Sequence, residues 1–323
     1  MRFIYFTDTH IRGSNPKNRT DDFIRTLEVK FSEIAGLVKE KDIDYVIHGG
    51  DLFDRPDISI SVVTRFAGIL KLIEKPIFIV SGNHDIFGHN PDTLDRTMLG
   101  LLRSFDFLHV LEKDSPILVE KDGITVQLSG VPYSYDIDSD PNSYILQNIT
   151  EKADYSINVV HGMLLDKPFI KGIPYTLIDD IIETKADITL SGHYHAGYKT
   201  IIRDGKYFIN PGSLVRVTNS LKEIERMPKV ILIELSRSSI EIEELYLESA
   251  KPGAEVLDRT VLENGVFRSE RIIEFKHSID EALDFEKLDI NDLITEVAFA
   301  ENVPKRIREE ALKRLAAVRM KSL

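Results

Sequence analysis

Short apolar runs alternate with amphipathic segments through the first third of the chain. Residues 2–7 form a run of aromatic and β-branched side chains, and residues 22–41 carry apolar side chains at helical spacing. The alternation continues with an apolar run at 45–48, a helical pattern at 61–73 and another apolar run at 76–80. The pattern therefore predicts strands alternating with helices, which is typical of a sheet covered by helices.

Later segments have the composition and turn residues of β-strands. Residues 107–127 predict strands that turn at Asp122-Gly123, and residues 199–209 predict a hairpin around Asp204-Gly205. Further apolar runs of strand length lie at 156–160, 187–190, 230–234 and 240–247. Together these segments predict an α+β fold, a β-sandwich flanked by helices, with strands running in mixed directions.

The strand pattern stops near Lys251-Pro252-Gly253, a composition typical of a domain boundary. We expect a catalytic domain at 1–250 and a small α/β extension at 251–323, which acts as a capping or partner-binding domain. Within that extension, residues 271–275 predict a strand and residues 278–320 predict helices. The stretch 303–323 carries seven Lys and Arg against two Glu, which suits either a helix packed on its own domain or a partner contact.

Composition narrows the chemistry of any bound cofactor. The 323 residues include no cysteine, so a metal site must use imidazole, carboxylate and amide ligands. The formal net charge of -12 argues against broad non-specific attraction to nucleic acid. No apolar run has the length of a membrane span, and the N-terminus lacks the features of a signal peptide, so we expect a cytoplasmic protein with no membrane contact.

Five polar motifs each follow directly on a short apolar run. In chain order they are Asp8-Thr9-His10, Gly50-Asp51-Leu52-Phe53-Asp54, Gly82-Asn83-His84-Asp85, His161-Gly162 and Gly192-His193-Tyr194-His195. Taken singly, each motif is more often a capped turn or a structural histidine than a site. Because ligands gather beyond the carboxyl ends of strands in open α/β sheets, the five together predict one site for metal ions.

In this order the motifs resemble the calcineurin-like metallophosphoesterases, and within them the SbcD-type nuclease subunits of DNA-repair complexes. The general resemblance covers roughly residues 1–247. The narrower one depends on Gly50 to Asp54, on Ser191 to His195, and on Asn210-Pro211-Gly212-Ser213, which is similar to a glycine turn of that family. The resemblance implies a four-layer α/β/β/α sandwich.

The resemblance also implies a ligand set for two divalent ions. Asp8, His10 and His195 would hold one ion, Asn83, His161 and His193 would hold the other, and Asp51 would bridge them. His84 would act as general acid toward the leaving oxygen, with Asp54 as the carboxylate that orients it. Mn2+ is the expected metal, with Fe, Co or Zn as alternatives.

Three functions follow from this ligand set. The first is a nuclease acting on DNA, with an SbcC-type ATPase partner and a homodimer implied by the resemblance. The second is a phosphodiesterase or phosphatase acting on small phosphorylated compounds, and the third is a metal-binding scaffold without catalysis. The intact ligands and His84 argue against the third.

Residues between the motifs have simpler interpretations. We expect His48 to be a buried, hydrogen-bonded neighbour of the site, and His89 to be a solvated loop residue, with substrate contact as the alternative. Tyr133 and Tyr135 suit a surface loop, with a substrate groove as the alternative interpretation.

Overall fold

Two six-stranded β-sheets form the centre of the chain in a computed structural model, which describes residues 1–169 and 172–258. The strands are β1 (Arg2–Phe6), β2 (Tyr45–His48), β3 (Ile77–Ile79), β4 (His109–Val110), β5 (Ile117–Lys121), β6 (Ile124–Val131), β7 (Tyr155–His161), β8 (Leu164–Leu165), β9 (Thr176–Leu177), β10 (Ile188–Gly192), β11 (Ile201–Arg203), β12 (Lys206–Ile209), β13 (Lys229–Leu235) and β14 (Ile240–Tyr246). These positions confirm the predicted strands of the described region.

Each large sheet contains four neighbouring parallel strands, with antiparallel pairing at one edge of the first sheet and at both edges of the second. The first sheet has the order β14-β13-β1-β2-β3-β4, in which β1 to β4 are parallel. The second has the order β11-β12-β10-β7-β6-β5, in which β12, β10, β7 and β6 are parallel. The parallel strands end at one edge of each sheet, so the polar segments that follow them lie at that edge.

Helices cover the outer face of the first sheet. The described helices are α1 (Phe23–Glu40), α2 (Ile60–Leu70), α3 (Met98–Ser104), α4 (Leu221–Glu225) and α5 (Gly253–Val256). The Asp22 side chain caps α1 by accepting a hydrogen bond from the Arg25 N–H at 3.0 Å. Phe31 of α1 packs edge-on against Phe6 of β1 and against Phe66 of α2, so the helical stripe predicted from the sequence faces the sheet.

Apolar side chains of both sheets interdigitate to form the central core. Tyr5 and Phe78 from the first sheet pack with Val126, Val159 and Leu190 from the second. The outer face of the second sheet is covered by short 3-10 helices, including Ile137–Ser139, Pro141–Tyr144 and Ile178–Ile181. The predicted α+β sandwich is therefore confirmed, with 3-10 helices forming the fourth layer of the described region.

The expectations for the C-terminal region fall on residues that the structure does not describe. The strand at 271–275, the helices at 278–320 and the basic stretch at 303–323 all lie outside the described residues. The last described residues pack against the N-terminal part of the chain, since the N–H of Thr20 donates to the carbonyl of Val256 at 3.0 Å. The division at residue 250 stays a prediction.

None of the helices within residues 1–169 and 172–258 is both long enough and apolar enough to cross a bilayer.

Candidate metal centre

Side chains from all five motifs gather at the edge where the parallel strands end. The structure brings them together in three overlapping groups, each with potential ligand atoms within 4.8 Å of one another: Asp8, His10, Asp51 and His195; Asp51, His161 and His193; and His10, Asp54 and His84. Asp51 belongs to the first two groups and is 1% exposed. One carboxylate thus lies between two sets of potential metal ligands, which is the geometry required of a bridging ligand.

Four of the gathered residues have left-handed backbone conformations, which are costly for residues other than glycine. The φ angles are 52° at Asp8, 41° at His10, 53° at Asp51 and 73° at His193. Backbone hydrogen bonds stabilise these strained conformations. The N–H of Asp8 donates to the Gly50 carbonyl at 3.1 Å, and the N–H of His10 donates to the Asp51 carbonyl at 3.0 Å. Such strain is typical of functional sites, where the surrounding fold fixes the side-chain directions.

The carboxylate of Asp8 is oriented by groups that are themselves fixed. It accepts hydrogen bonds from Thr7 Oγ1 at 2.7 Å and from the N–H of His193 at 3.2 Å. His195 Nε2 lies 3.6 Å from Asp8 Oδ1 and 3.0 Å from His10 Nε2. Three potential ligand atoms from the first and last motifs therefore face one small volume.

The two oxygens of Asp51 have different surroundings. Oδ1 accepts a hydrogen bond from the backbone N–H of His84 at 2.9 Å. Oδ2 lies 3.4 Å from His161 Nε2 and 3.8 Å from His10 Nε2, so it faces both sets of histidines. Burial raises the pKa of Asp51, but the nearby His161 and His84 outweigh it and hold that pKa well below the usual range.

His161 has the hydrogen-bonding pattern of a metal ligand. Its Nδ1 lies 2.7 Å from the carbonyl oxygen of Gly49, which can only accept, so Nδ1 carries a proton. Its Nε2 faces Asp51 and lies 3.2 Å from Asn83 Oδ1. A histidine that donates one N–H to a backbone carbonyl and directs its other nitrogen to oxygen donors suits a divalent cation.

Burial and the charge of Asp51 act in opposite directions on the protonation of the site's histidines. Burial lowers the pKa of His161, but the charge of Asp51 overrides this effect and raises it to about 9. Burial lowers the pKa of His193 to about 3, and it also lowers that of His10. His193 and His10 are therefore neutral imidazoles at pH 7, which is the form that ligates metals. A cation would displace the proton on His161 Nε2.

Glycines next to the ligands make this close packing feasible. Gly50 has a φ of 102°, and a side chain on it would collide with Nδ1 of His161. A side chain on Gly82 would collide with the carboxylate of Asp51. These two motif glycines are needed because the side chains of His161 and Asp51 occupy the space of a Cβ.

His84 lies beside the first group, with its ring edge-on to that of His10 at 4.8 Å between centroids. Its Nδ1 donates to the backbone carbonyl of Asp54 at 2.8 Å. The Asp54 carboxylate accepts from Arg12 Nη1 at 3.1 Å. Asp54 thus contacts the His84 ring through its backbone carbonyl, while its side chain also forms an ion pair.

Asp85 is a structural element of the site to which the sequence analysis assigned no role. Its buried carboxylate accepts from the N–H groups of Gly82 at 2.9 Å, Phe53 at 3.0 Å and Leu52 at 3.3 Å. Burial, assisted by the charge of Asp51, raises the pKa of Asp85 to about 7. The residue joins the loops after β2 and β3, and its position as the fourth member of a motif was the available signal.

His48 and Tyr133 both lie beside the candidate metal centre. His48 is buried, accepts from the N–H of Gly50 at 3.1 Å and belongs to none of the ligand groups, which confirms its prediction as a structural neighbour. Tyr133 packs against the rings of His193 and His161 with centroid distances of 5.5 and 6.2 Å. Its hydroxyl lies 3.1 Å from His89 Nδ1, so the expected surface loop borders the site.

The turn at Asn210 to Ser213 lies against the last motif, as the resemblance implied. The N–H of Ser213 donates to the carbonyl of His195 at 2.9 Å, and the N–H of Leu214 donates to that of Thr7 at 3.0 Å. The turn therefore ties the segment of His195 to the segment of Asp8.

Comparisons with known proteins identify the family of the chain and proteins to which it is similar. The profile of the calcineurin-like phosphoesterase family matches residues 1–197. Proteins named DNA double-strand break repair protein Mre11 are similar to the chain. The one from Methanococcus maripaludis is 36% identical over 91 residues, 27% of this chain and 23% of that protein. The one from Thermoplasma acidophilum is 26% identical over 269 residues, 77% and 66% of the two chains.

A third such protein, from Archaeoglobus fulgidus, is 28% identical over 235 residues, 67% of this chain and 50% of that protein. The matched parts span between about a quarter and two thirds of the length of these relatives. The family profile, in contrast, covers more than half of this chain and includes all five motifs through His195. The chain therefore belongs to the calcineurin-like phosphoesterase family.

Proposed function

We propose that the chain is a metal-dependent nuclease that hydrolyses DNA phosphodiester bonds at a site for two divalent ions. The observation that carries this proposal is the position of Asp51, whose Oδ2 faces His161 on one side and His10 on the other. Two-metal hydrolysis requires a shared ligand of this kind between the ions.

The ligand set of the proposal uses seven residues. Asp8, His10 and His195 would hold one ion, Asn83, His161 and His193 would hold the other, and Asp51 would be the ligand they share. Imidazole nitrogen, carboxylate and amide oxygen suit Mn2+, with Fe, Co or Zn as alternatives. Only Asp8 and Asp51 carry negative charge, so two divalent ions would leave the set with a net charge of 4 − 2 = +2, which favours a phosphate anion.

When bound, two such ions lower the pKa of water and neutralise charge on the phosphoryl oxygens. Within the protein, His84 supplies the proton that the leaving oxygen needs as the phosphorus–oxygen bond breaks and water adds to phosphorus. Its Nδ1 is held by the Asp54 carbonyl, so its Nε2 is the nitrogen that delivers the proton.

DNA is the proposed substrate because the similar proteins are named for DNA double-strand break repair. Tyr133 adds an aromatic face beside the ligands, a surface on which a base can stack. The proposal extends to an SbcC-type ATPase partner, to a homodimer and to a separate C-terminal domain from residue 251.

The test compares four substrates in the presence of Mn2+: end-labelled single-stranded DNA, end-labelled double-stranded DNA, a chromogenic phosphodiester and a chromogenic phosphomonoester. We expect cleavage of DNA and of the chromogenic diester, both abolished by a chelator and restored by Mn2+. Rapid turnover of the monoester with intact DNA would instead identify a small-molecule phosphatase. Absence of turnover on all four substrates with two ions bound would identify a metal-binding scaffold.

A further inference from the structure

Arg12 forms an ion pair at the edge of the metal centre. It lies two residues after His10, and its Nη1 donates to Asp54 Oδ1 at 3.1 Å. The side chains of Arg12 and Asp54 are 21% and 22% exposed, so the pair lies where the site meets solvent. The positive charge of Arg12 also opposes the rise that burial causes in the pKa of Asp54.

One donor of the Arg12 guanidinium has no partner. Its Nε is shielded from solvent and forms no hydrogen bond in the described part of the chain. A shielded N–H without an acceptor costs free energy, so a movement of the side chain that gives Nε an acceptor would be favourable. Asp54 engages only Nη1 of the guanidinium, so the partly exposed head keeps donors for a second anion, and its planar fork is well matched to phosphate.

The location of Arg12 identifies which part of a substrate would meet it. Asp54 accepts from His84 Nδ1 through its carbonyl and from Arg12 through its carboxylate. Arg12 is therefore on the same side of the centre as His84, whereas Tyr133 packs against His161. A strand that leaves the centre past His84 would therefore pass the Arg12–Asp54 pair.

We infer that Arg12 is a specificity-determining residue, an inference that rests on the proposed function. Arg12 binds the DNA phosphate adjacent to the scissile one, on the side of the leaving group. The Asp54 carboxylate holds the guanidinium of Arg12 in place, and the ion pair neutralises the negative charge of that carboxylate. A substrate with only one phosphate cannot use this contact. Arg12 therefore favours a polynucleotide chain over a small diester.

The experiment removes the charge of one phosphate at a time. Three end-labelled oligonucleotides share one mapped cleavage position: one is unmodified, and the others carry a neutral methylphosphonate linkage next to the scissile bond, on the leaving side or on the opposite side. For the wild type we expect the leaving-side substitution to lower kcat/KM roughly tenfold, the scale of a hydrogen bond to a charged group.

Variants of Arg12 then assign the effect. Arg12→Gln should lower kcat/KM for the unmodified oligonucleotide by the same factor and lose the response to the leaving-side methylphosphonate, whereas Arg12→Lys should keep part of it. Arg65→Gln is the matched control, because Arg65 also pairs with a carboxylate, that of Glu28, but on the helical face. It should retain the wild-type response. Metal content and the unfolding midpoint confirm that each variant folds.

The outcomes separate the two proposals. If the wild type cleaves all three oligonucleotides equally well, or if Arg12→Gln keeps the full response, Arg12 does not bind that phosphate and the nuclease proposal stands. If the wild type hydrolyses a chromogenic ester but none of the oligonucleotides, the nuclease proposal itself fails.

Discussion

Replacing Asp138 by asparagine should change how the stability of the protein depends on pH. The half-buried carboxylate of Asp138 accepts from the N–H of Met163 at 3.0 and 3.1 Å and from the hydroxyl of Tyr144, and so anchors the loop that follows His161. Burial raises the pKa of Asp138 from 3.8 to about 6, although these hydrogen bonds oppose the shift. The folded protein therefore binds this proton more tightly than the unfolded chain does.

The sign and the size of the effect follow from this difference. Below pH 3.8 the carboxyl is protonated in both states, so its contribution to stability is fully present; it is lost as the pH rises through about 6, because only the unfolded chain ionises easily. A shift of roughly 2 pH units at about 1.4 kcal/mol each sets an upper limit of about 3 kcal/mol, which partial exposure reduces. Asparagine cannot ionise and keeps an oxygen for Met163.

The assay is denaturant unfolding from pH 4 to pH 8 for the wild type, Asp138→Asn and Asp140→Asn. We expect the free energy of unfolding of Asp138→Asn to rise relative to the wild type by up to about 3 kcal/mol between pH 4 and pH 7. Asp140 is exposed and caps the neighbouring turn through the N–H of Asn142, so its variant should follow the wild-type curve. A constant difference between Asp138→Asn and the wild type across this range would refute the reasoning.

Further predictions concern the metal centre. His84→Ala should lower turnover by about 10² to 10⁴, the usual size of a general-acid contribution, while metal analysis still finds two ions; undiminished turnover would exclude the acid role. Asp51→Asn should lower the bound metal to one ion or fewer, and two retained ions would contradict the bridging role. Gly82→Ala should also reduce metal content, because the new methyl group collides with Asp51. The control Gly36→Ala, on α1 with open space around it, should keep full metal content.

Local features of the fold could be predicted because they depend on neighbouring residues. The stripe of Phe23, Leu27 and Phe31 has a helical period, and those side chains form the buried face of α1. Each polar motif follows an apolar run, and this pattern predicted strands that end at a common functional site. Residues beyond the carboxyl ends of parallel strands lie at one edge of the sheet. The same rule predicted that Asp8 and His10 would lie close to His195, although His195 follows His10 by 185 residues.

Contacts beside the motifs could not be predicted, because they arise from segments that meet only in three dimensions. The pairing of Tyr133 with His89 requires the ends of β3 and β6 to be neighbours across the two sheets. The sequence analysis did not single out Arg12, whose ion pair with Asp54 forms across 42 residues.

The order of side chains along the chain was sufficient to predict most strands of the two large sheets, the two long helices, the five motifs and the kind of ligand, since cysteine is absent and local periodicity is a short-range property. The placement of β1 between β2 and β13, the left-handed backbone at Asp8 and Asp51, and the shared orientation of the Asp51 carboxylate came from packing. These features depend on contacts between distant segments, because strain and buried charge persist only where the surrounding fold compensates them.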